Sequence, residues 1–484
     1  MPACRPIAAT IEDRQKGATE QQQPLTNRIP FLRGFGNTEE NNMLIAIVIV
    51  AALFGLLFGF DQGVISGALP FIKQTFTITP FMEGVVTSAV PLGAVAGTII
   101  AMVTTDRYGR KPMLVLGAVI FLVGSIISAL AFNQYFLTLT RLLIGVGIGA
   151  SAMTAPMFLA EVAPARIRGT IVAAFQLMIT IGIMVSYMSN AAFGQSGDWR
   201  WMIGVGVFPS IIALVGILMS PETPRWLTLN SNADKARDII TKLQPDASKA
   251  DVDRIINEIK ESAKDEEAKP AWNTFLKKGI LPVTSFAMIV FVLQQLSGIN
   301  AIIYYAPEIF KHAGFSGTTT QLLATVGIGV VNVVLTVVAM YLVESIGRRK
   351  LLIIGFIGTA CSMAIVTGAT IIDIPATPYI ATFGIFAFIA FFAVSLGPLP
   401  WLYMAELFPL RLRPRGMALA SVSNWFFNFV VALMFPVLLN EVGIVGTFAI
   451  FTVCCVFGIF YAIAVAPETK GITLEELEQR TVGL

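Results

Sequence analysis

Aqueous chemistry has little to work with in this sequence. Its 484 residues include one histidine, His312, and four cysteines, Cys4, Cys361, Cys454 and Cys455. A single imidazole argues against a Ser–His–Asp triad and against histidine-rich metal sites, and the cysteines show no metal-ligand spacing, so they read as packing residues. Charge is scarce too: 13% Asp, Glu, Lys and Arg against 55% hydrophobic residues, a balance that no water-exposed globular surface accommodates. The formal net charge of +3 is too small to point to nucleic acid. Residues 1–42 are polar, with Gln21-Gln22-Gln23 and no basic region feeding a short apolar core and cleavage site. They read as a disordered tail rather than a signal peptide. What is left is an integral membrane protein in a lipid bilayer.

Its apolar runs give twelve candidate spans: about 43–68, 83–104, 113–131, 135–158, 169–192, 200–219, 281–306, 321–344, 351–372, 379–404, 416–439 and 445–466. The expected layout is a tail (1–42), a six-helix unit (43–220), a soluble linker (221–280), a second six-helix unit (281–466) and a short tail (467–484). In the linker, charged residues alternate with Ile239, Ile240, Leu243, Ile255, Ile256 and Ile259, the pattern of two or three short amphipathic helices. Placing the N-terminus inside puts Arg107, Arg110, Lys111, Arg166, Arg168, Arg348, Arg349, Lys350, Arg411, Arg413 and Arg415 in short inner loops, against Lys73, Arg200 and Lys311 outside. The positive-inside rule therefore predicts both termini in the cytoplasm.

The first run carries an acid. Eighteen uncharged residues from Met43 to Phe60 reach roughly 27 Å, nearly the ~30 Å hydrocarbon thickness, so Asp61 lies deep in the bilayer or at its far interface. A carboxylate there marks an ion, proton or substrate path, unless it has already reached solvent. Arg141, about six residues below the outer end of span four, lies at a matching depth. Each charge is expensive alone, so the two are expected to pair; the alternative is an Arg141 that snorkels outward.

The chain also repeats. Asp106-Arg107-Tyr108-Gly109-Arg110-Lys111 follows span two, and Glu344-Ser345-Ile346-Gly347-Arg348-Arg349 follows span eight. Glu161-Val162-Ala163-Pro164 with Arg166 and Arg168 follows span four, and Glu406-Leu407-Phe408-Pro409 with Arg411 and Arg413 follows span ten. The same loops six spans apart imply a parallel duplication, two bundles facing each other around a central site and suited to alternating access.

These loops, together with Arg141 before Gly145-Val146-Gly147-Ile148-Gly149, Pro221-Glu222-Thr223-Pro224-Arg225, Gln294-Gln295-Leu296-Ser297-Gly298-Ile299-Asn300, Gly397-Pro398-Leu399-Pro400-Trp401, Asn424-Trp425 and Pro467-Glu468-Thr469-Lys470-Gly471, resemble the sugar porter family of the major facilitator superfamily, from about Leu44 to Glu478. Phe175 to Ile183 looks most like the bacterial galactose and arabinose proton symporters. The resemblance implies an all-α fold of twelve transmembrane helices in two bundles. It also implies sugar contacts at Gln176, Gln294, Gln295, Asn300, Asn332, Trp401, Asn424 and Trp425.

Chemistry supports part of that set directly. A sugar donates and accepts hydrogen bonds and offers an apolar ring face, so its site needs amides and an aromatic. Gln295 and Asn300 are five apart, and a break at Gly298 would aim both at one cavity. The competing reading is that intramembrane amides merely link helices. On the inner face, the resemblance makes Asp106, Arg107, Arg110, Glu161, Arg168, Glu344, Arg348, Glu406 and Arg413 an inter-bundle gate that holds the outward-facing state and breaks on inward opening, whereas loop charges alone need only orient the helices.

The expectation is thus a monosaccharide:proton symporter of the bacterial inner membrane, working as a monomer, coupled through Asp61, with the proton as coupling ion and no other cofactor. A uniporter of the same fold, or a sugar sensor, is the alternative. The linker carries no nucleophile, metal cluster or phosphate loop, so an enzyme is not expected.

Overall fold

In lipid every backbone amide must find its partner inside the protein, and runs of some twenty apolar residues solve this as helices. The computed structural model describes residues 42–163, 168–230, 232–244, 247–266, 272–277, 279–372, 374–409 and 412–470. The tail expected at 1–42, apart from Asn42, and the end of the second tail from 471 lie outside the described residues. Twelve helical segments are long and apolar enough to cross a membrane.

The first six spans are α1 (Asn42–Phe76), α2 (Pro80–Tyr108), α3 (Arg110–Ala129), α4 (Gln134–Val162), α5 (Arg168–Phe193) and the pair α6 (Trp199–Gly204) and α7 (Val207–Met219). The linker folds as α8 (Pro224–Leu229), α9 (Ala233–Leu243) and α10 (Lys249–Glu266), with Ile240, Val252 and Ile256 packed together. The seventh span is α11 (Leu281–Leu296) plus α12 (Ile299–His312), followed by α13 (Thr318–Ile346) and α14 (Arg348–Ile372). The tenth is α15 (Thr377–Phe391) plus α16 (Leu399–Leu407); α17 (Arg413–Glu441) and α18 (Gly443–Val465) complete the set. Order and number match the apolar runs. The largest boundary difference is α1, which runs to Phe76 rather than 68, so Asp61 sits within the helix and not at its far end.

Small residues set the closest helix crossings. Gly55, Gly59, Gly63 and Gly67 form an every-fourth-residue stripe along α1 against α5: a Cβ at 59 would lie 1.9 Å from the Ile179 carbonyl oxygen, and one at 63 as close to the Ser186 hydroxyl. The remaining face of the bundle is apolar and exposed, as lipid contact requires, at residues such as Phe208, Val453 and Phe460.

Two spans are broken, each for a readable reason. At Gly298 the backbone turns left-handed (φ 92°), ending α11 and restarting α12, a conformation open to glycine at little cost. In the tenth span, a single π turn (Phe392–Leu396) precedes Gly397-Pro398. Pro400 has no N–H for the Leu396 carbonyl four residues back; the Gln294 side-chain amide donates to that carbonyl instead, at 2.6 Å.

The halves meet on the side away from the basic loops, here called outer. One apolar cluster crosses the seam there, uniting Phe54, Phe58 and Ile65 of α1 with Ile302 and Phe310 of α12 and Trp425 and Phe435 of α17. On the inner side, a second cluster around Phe286, Leu352, Tyr403 and Leu412 draws its residues from the C-terminal half and the short turn at Trp272–Leu276.

Candidate functional site

Asp61 and Arg141 meet, as their matched depth requires. Both are buried, at 4% and 1% exposure, and Arg141 Nη2 donates to Asp61 Oδ2 at 3.5 Å. The guanidinium does not snorkel: its Nε donates to the Val86 carbonyl of α2 at 3.1 Å. One buried cation thus ties α1, α2 and α4 together.

The residue after Asp61 begins a chain of amides across the seam. Gln62 Nε2 donates to Asn300 Oδ1 and to the Tyr304 hydroxyl, both at 3.4 Å, joining α1 of one half to α12 of the other. Asn300 Nδ2 donates to Gln295 Oε1, Gln295 Nε2 donates to Asn424 Oδ1, and the Tyr304 hydroxyl donates to Asn428 Oδ1 at 3.2 Å. Gln62, Gln295, Asn300, Asn424 and Asn428 are all buried. The break at Gly298 is what lets Gln295 and Asn300, five residues apart, meet. Beside Asn424, Trp425 lies against Phe58 across the seam with ring centroids 5.0 Å apart, while Trp401 lies against Phe291 at 4.9 Å within the second half.

The structure divides the residues singled out from the sequence. Gln295, Asn300 and Asn424 belong to the seam chain and Trp425 borders it. Gln294 joins the chain through its Oε1, which accepts from Gln295 Nε2 at 3.4 Å, while its own Nε2 is given to the α15–α16 break. Gln176, half-buried on α5, and Asn332, buried on α13, stand outside the chain. Gln62 and Asn428 were not singled out. Their signals were present: Gln62 adjoins the intramembrane acid, and Asn428 lies one turn beyond Asn424.

The inter-bundle gate is expected of the outward-facing state, and with the outer side shut the described inner charges pair within each half. Arg110 pairs with Asp106 (3.4 Å) and Glu161 (2.9 Å), all in the first half. Arg348 pairs with Glu344 (2.9 Å) and Glu406 (3.1 Å), all in the second. Arg107 lies over the Tyr108 ring, Arg413 Nε donates to the Phe408 carbonyl, and the Arg168 side chain is outside the described residues. With the outer seam shut, the two inner clusters tie spans within each half.

Each cluster is finished by a matching clamp. Glu222 accepts from the Lys111 backbone N–H (3.0 Å) at the start of α3, and Thr223 donates to Glu161. Glu468 accepts from the backbone N–H groups of Arg348 (2.9 Å) and Arg349 (3.2 Å) at the start of α14, and Thr469 donates to Glu406. A carboxylate at a helix N-terminus meets unpaired N–H groups and the positive end of the dipole. Gly109 (φ 105°) and Gly347 (φ 93°) leave room for it, since a Cβ would approach the carboxylates to 2.3 and 2.7 Å. The two clamps titrate differently. Burial pushes Glu222 above the usual carboxylate range, against the Thr223 and Lys111 amides. Burial pushes Glu468 up as well, but the amides of Lys470, Arg348, Arg349 and Thr469 outweigh it and hold the carboxyl below that range.

Comparison with known proteins agrees with this architecture. Residues 47–480 match the model of the family described as "Sugar (and other) transporter". The chain is 38% identical over 440 residues to the galactose-proton symporter of Escherichia coli strain K12, covering 90% of this chain and 94% of that one. It is 34% identical over 457 residues to the arabinose-proton symporter of the same strain, covering 93% and 95%. Its fold superposes on the xylose transporter of Escherichia coli in a partially occluded, inward-open conformation with a TM-score of 0.79 and 27% identity, covering 90% of this chain and all of that one. These are transporters, not enzymes, and the chain belongs to their family, the sugar porters of the major facilitator superfamily.

Proposed function

We propose that the protein imports a monosaccharide together with a proton across the bacterial inner membrane, as a monomer with both termini in the cytoplasm. The substrate class is a hexose or pentose of the galactose, arabinose, xylose and glucose type. Galactose-, arabinose- and xylose-named relatives support the class, and the amide chain flanked by aromatic rings supports a polyol as cargo.

The observation that carries the coupling is the adjacency of Asp61 and Gln62. Asp61 is bound to Arg141 within its own half, while Gln62 makes the hydrogen bonds to the other half. When the outer side is open, water reaches Asp61 and the carboxylate exchanges protons with the outside. Protonation removes the charge that holds Arg141, and a neutral acid is far cheaper to bury as the seam closes. A bound sugar takes over donors and acceptors that here satisfy one another across the seam, namely Gln62, Gln295, Asn300 and Asn424. It thus stabilises closure only when both halves reach it. Opening inward then exposes Asp61 to the cytoplasm, where it loses its proton and recovers Arg141.

Asp61→Asn tests this. The amide keeps the volume and neutrality of the protonated acid but cannot release a proton. In sealed vesicles, exchange of labelled for unlabelled sugar should survive, while accumulation under a pH gradient and sugar-induced alkalinisation outside should both vanish. A variant that still concentrates sugar under the gradient would remove Asp61 from coupling. A parent protein indifferent to the gradient would be a uniporter.

A further inference from the structure

A second buried acid faces the outside. Glu83, in the first turn of α2, is 4% exposed and forms an ion pair with Lys73 of α1 at 2.9 Å. It borders a cavity of about 300 Å³ at the outer end of the seam, lined also by Lys73, Tyr305, Glu308, His312 and Asn440. The symport scheme above gives this acid no role. A carboxylate buried on one side and bordering a polar cavity on the other is in a position to move protons.

Its place relative to the coupling pair makes the case. Val86, which holds Arg141 through its carbonyl, is one helical turn inward of Glu83 on α2, about 4.5 Å along the axis. Thr87 lies on the same helix and bonds the Glu83 carbonyl; its side chain contacts the buried Tyr305 hydroxyl. Tyr305 both lines the cavity and precedes the coupling region, because its neighbour Tyr304 is bonded to Gln62. Tyr305 lies within electrostatic reach of both Glu83 and Arg141, so it stands between the cavity acid and the Asp61–Arg141 pair.

We propose that Glu83 is the outer proton-relay residue, taking protons from the cavity and passing them inward to Asp61. An O–H bond forms on the Glu83 carboxylate from a hydronium ion in the cavity. It breaks as the proton moves through water to the Asp61 carboxylate, past the Thr87 and Tyr305 hydroxyls, which here donate to the Glu83 and Ala432 carbonyls at 3.0 and 2.7 Å and turn from them to pass the proton on. The net change is one proton transferred, with no oxidation or reduction, and Lys73 stays charged throughout. The groups facing Glu83 are Lys73 from α1, Tyr305, Glu308, Lys311 and His312 from α12, and the uncharged Phe435, Pro436 and Asn440 from α17. Glu308 also holds Lys311 and His312, at 3.4 and 3.5 Å, and Lys73 at 4.0 Å.

The proposal rests on the symport reading, and its test separates the two. Sugar-driven proton uptake and sugar accumulation are measured in proteoliposomes across a range of outer pH for the parent, Glu83→Gln, Glu83→Asp and Lys73→Gln. A relay requires that Glu83→Gln slow accumulation far more than sugar exchange, with the alkaline limb of the pH profile moved to acid by about one pH unit or more, and that Glu83→Asp restore it. Lys73→Gln removes a cation from beside the carboxylate, so Glu83 binds its proton more tightly and the limb moves to alkaline. If Glu83 only anchors Lys73, both Gln variants behave alike; that result, or a parent-like profile in Glu83→Gln, overturns the relay alone. A parent that takes up no protons with sugar overturns the symport reading, and the relay with it.

Discussion

Two adjacent glutamines show how far a residue type can be read without its geometry. Gln294 and Gln295 are chemically identical, and the sequence offers no ground for separating them. The structure does: Gln295 bonds Asn300 and Asn424, whereas Gln294, which accepts from Gln295 at 3.4 Å, gives its own N–H groups to the Leu396 carbonyl that Pro400 leaves without a donor. Alanine substitutions should therefore diverge. Gln295→Ala and Asn300→Ala each remove one hydrogen bond to the sugar, about 1 kcal/mol, or roughly a fivefold loss of affinity, measurable by equilibrium binding on purified protein. Gln294→Ala leaves the Leu396 carbonyl without its side-chain donor and should cost ~1–3 kcal/mol of stability, seen as a lower Tm with a smaller change in affinity. Equal loss of affinity in all three would erase the distinction. Asp61, Arg141, Gln295 and Asn300 were legible because intramembrane polar groups are rare. Gln62 and Asn428 carried local signals, but what assigns them to the chain is their contact with Asn300 and Tyr304 of another span, which exists only after folding.

At the scale of elements, the apolar runs gave the number and order of the helices, since hydrophobic length is a local property. The break at Gly298 was also legible, from glycine among amides. Gly298→Ala should reduce stability by on the order of 1–3 kcal/mol, because the backbone is left-handed and a Cβ would stand 2.7 Å from the Phe451 ring. Retention of the parent Tm would show the turn to be adaptable. The glycine stripe of α1 had a visible period, but its partner α5 did not.

The clamps give a pH prediction. The carboxyl of Glu468 titrates below its unfolded value, so its stabilisation is fully present above the ordinary glutamate pKa of about 4 and is lost as pH falls through the lowered folded value. Glu468→Gln should lower stability at neutral pH by on the order of 1 kcal/mol, and the gap in Tm should close on acidification. A constant gap would mean that the charge is not what the helix end recognises. The repeated loops predicted that the halves would match, but not that the arginines would pair within each half, because a cross-half contact depends on which side of the molecule is closed.

For the whole molecule, closure of the outer seam has specific contacts that can be denied. A Cβ at Gly84 would lie 2.2 Å from the Leu433 carbonyl oxygen of α17, and the Tyr187 hydroxyl of α5 donates to the Ile303 carbonyl of α12 at 2.9 Å. Gly84→Trp should hold the outer ends apart. Distances between spin labels across the outer face should lengthen, and transport should stop while sugar binding from outside persists. An unchanged distance distribution would show that the seam closes by another route.

The linker also changes allegiance along its length. Trp226 of α8 donates to the Asp106 carbonyl in the first half, and α9 and α10 pack with α8. Trp272 instead stacks beneath Arg415, and Phe275 packs against Phe408, both in the second half. The changeover falls between Glu266 and Trp272. Each half therefore owns its spans, its arginine cluster, its clamp and its share of the linker. A gene cut in two at that point should yield polypeptides that each insert on their own and reassemble into a working transporter, because the described arginine clusters and clamps each close within one half.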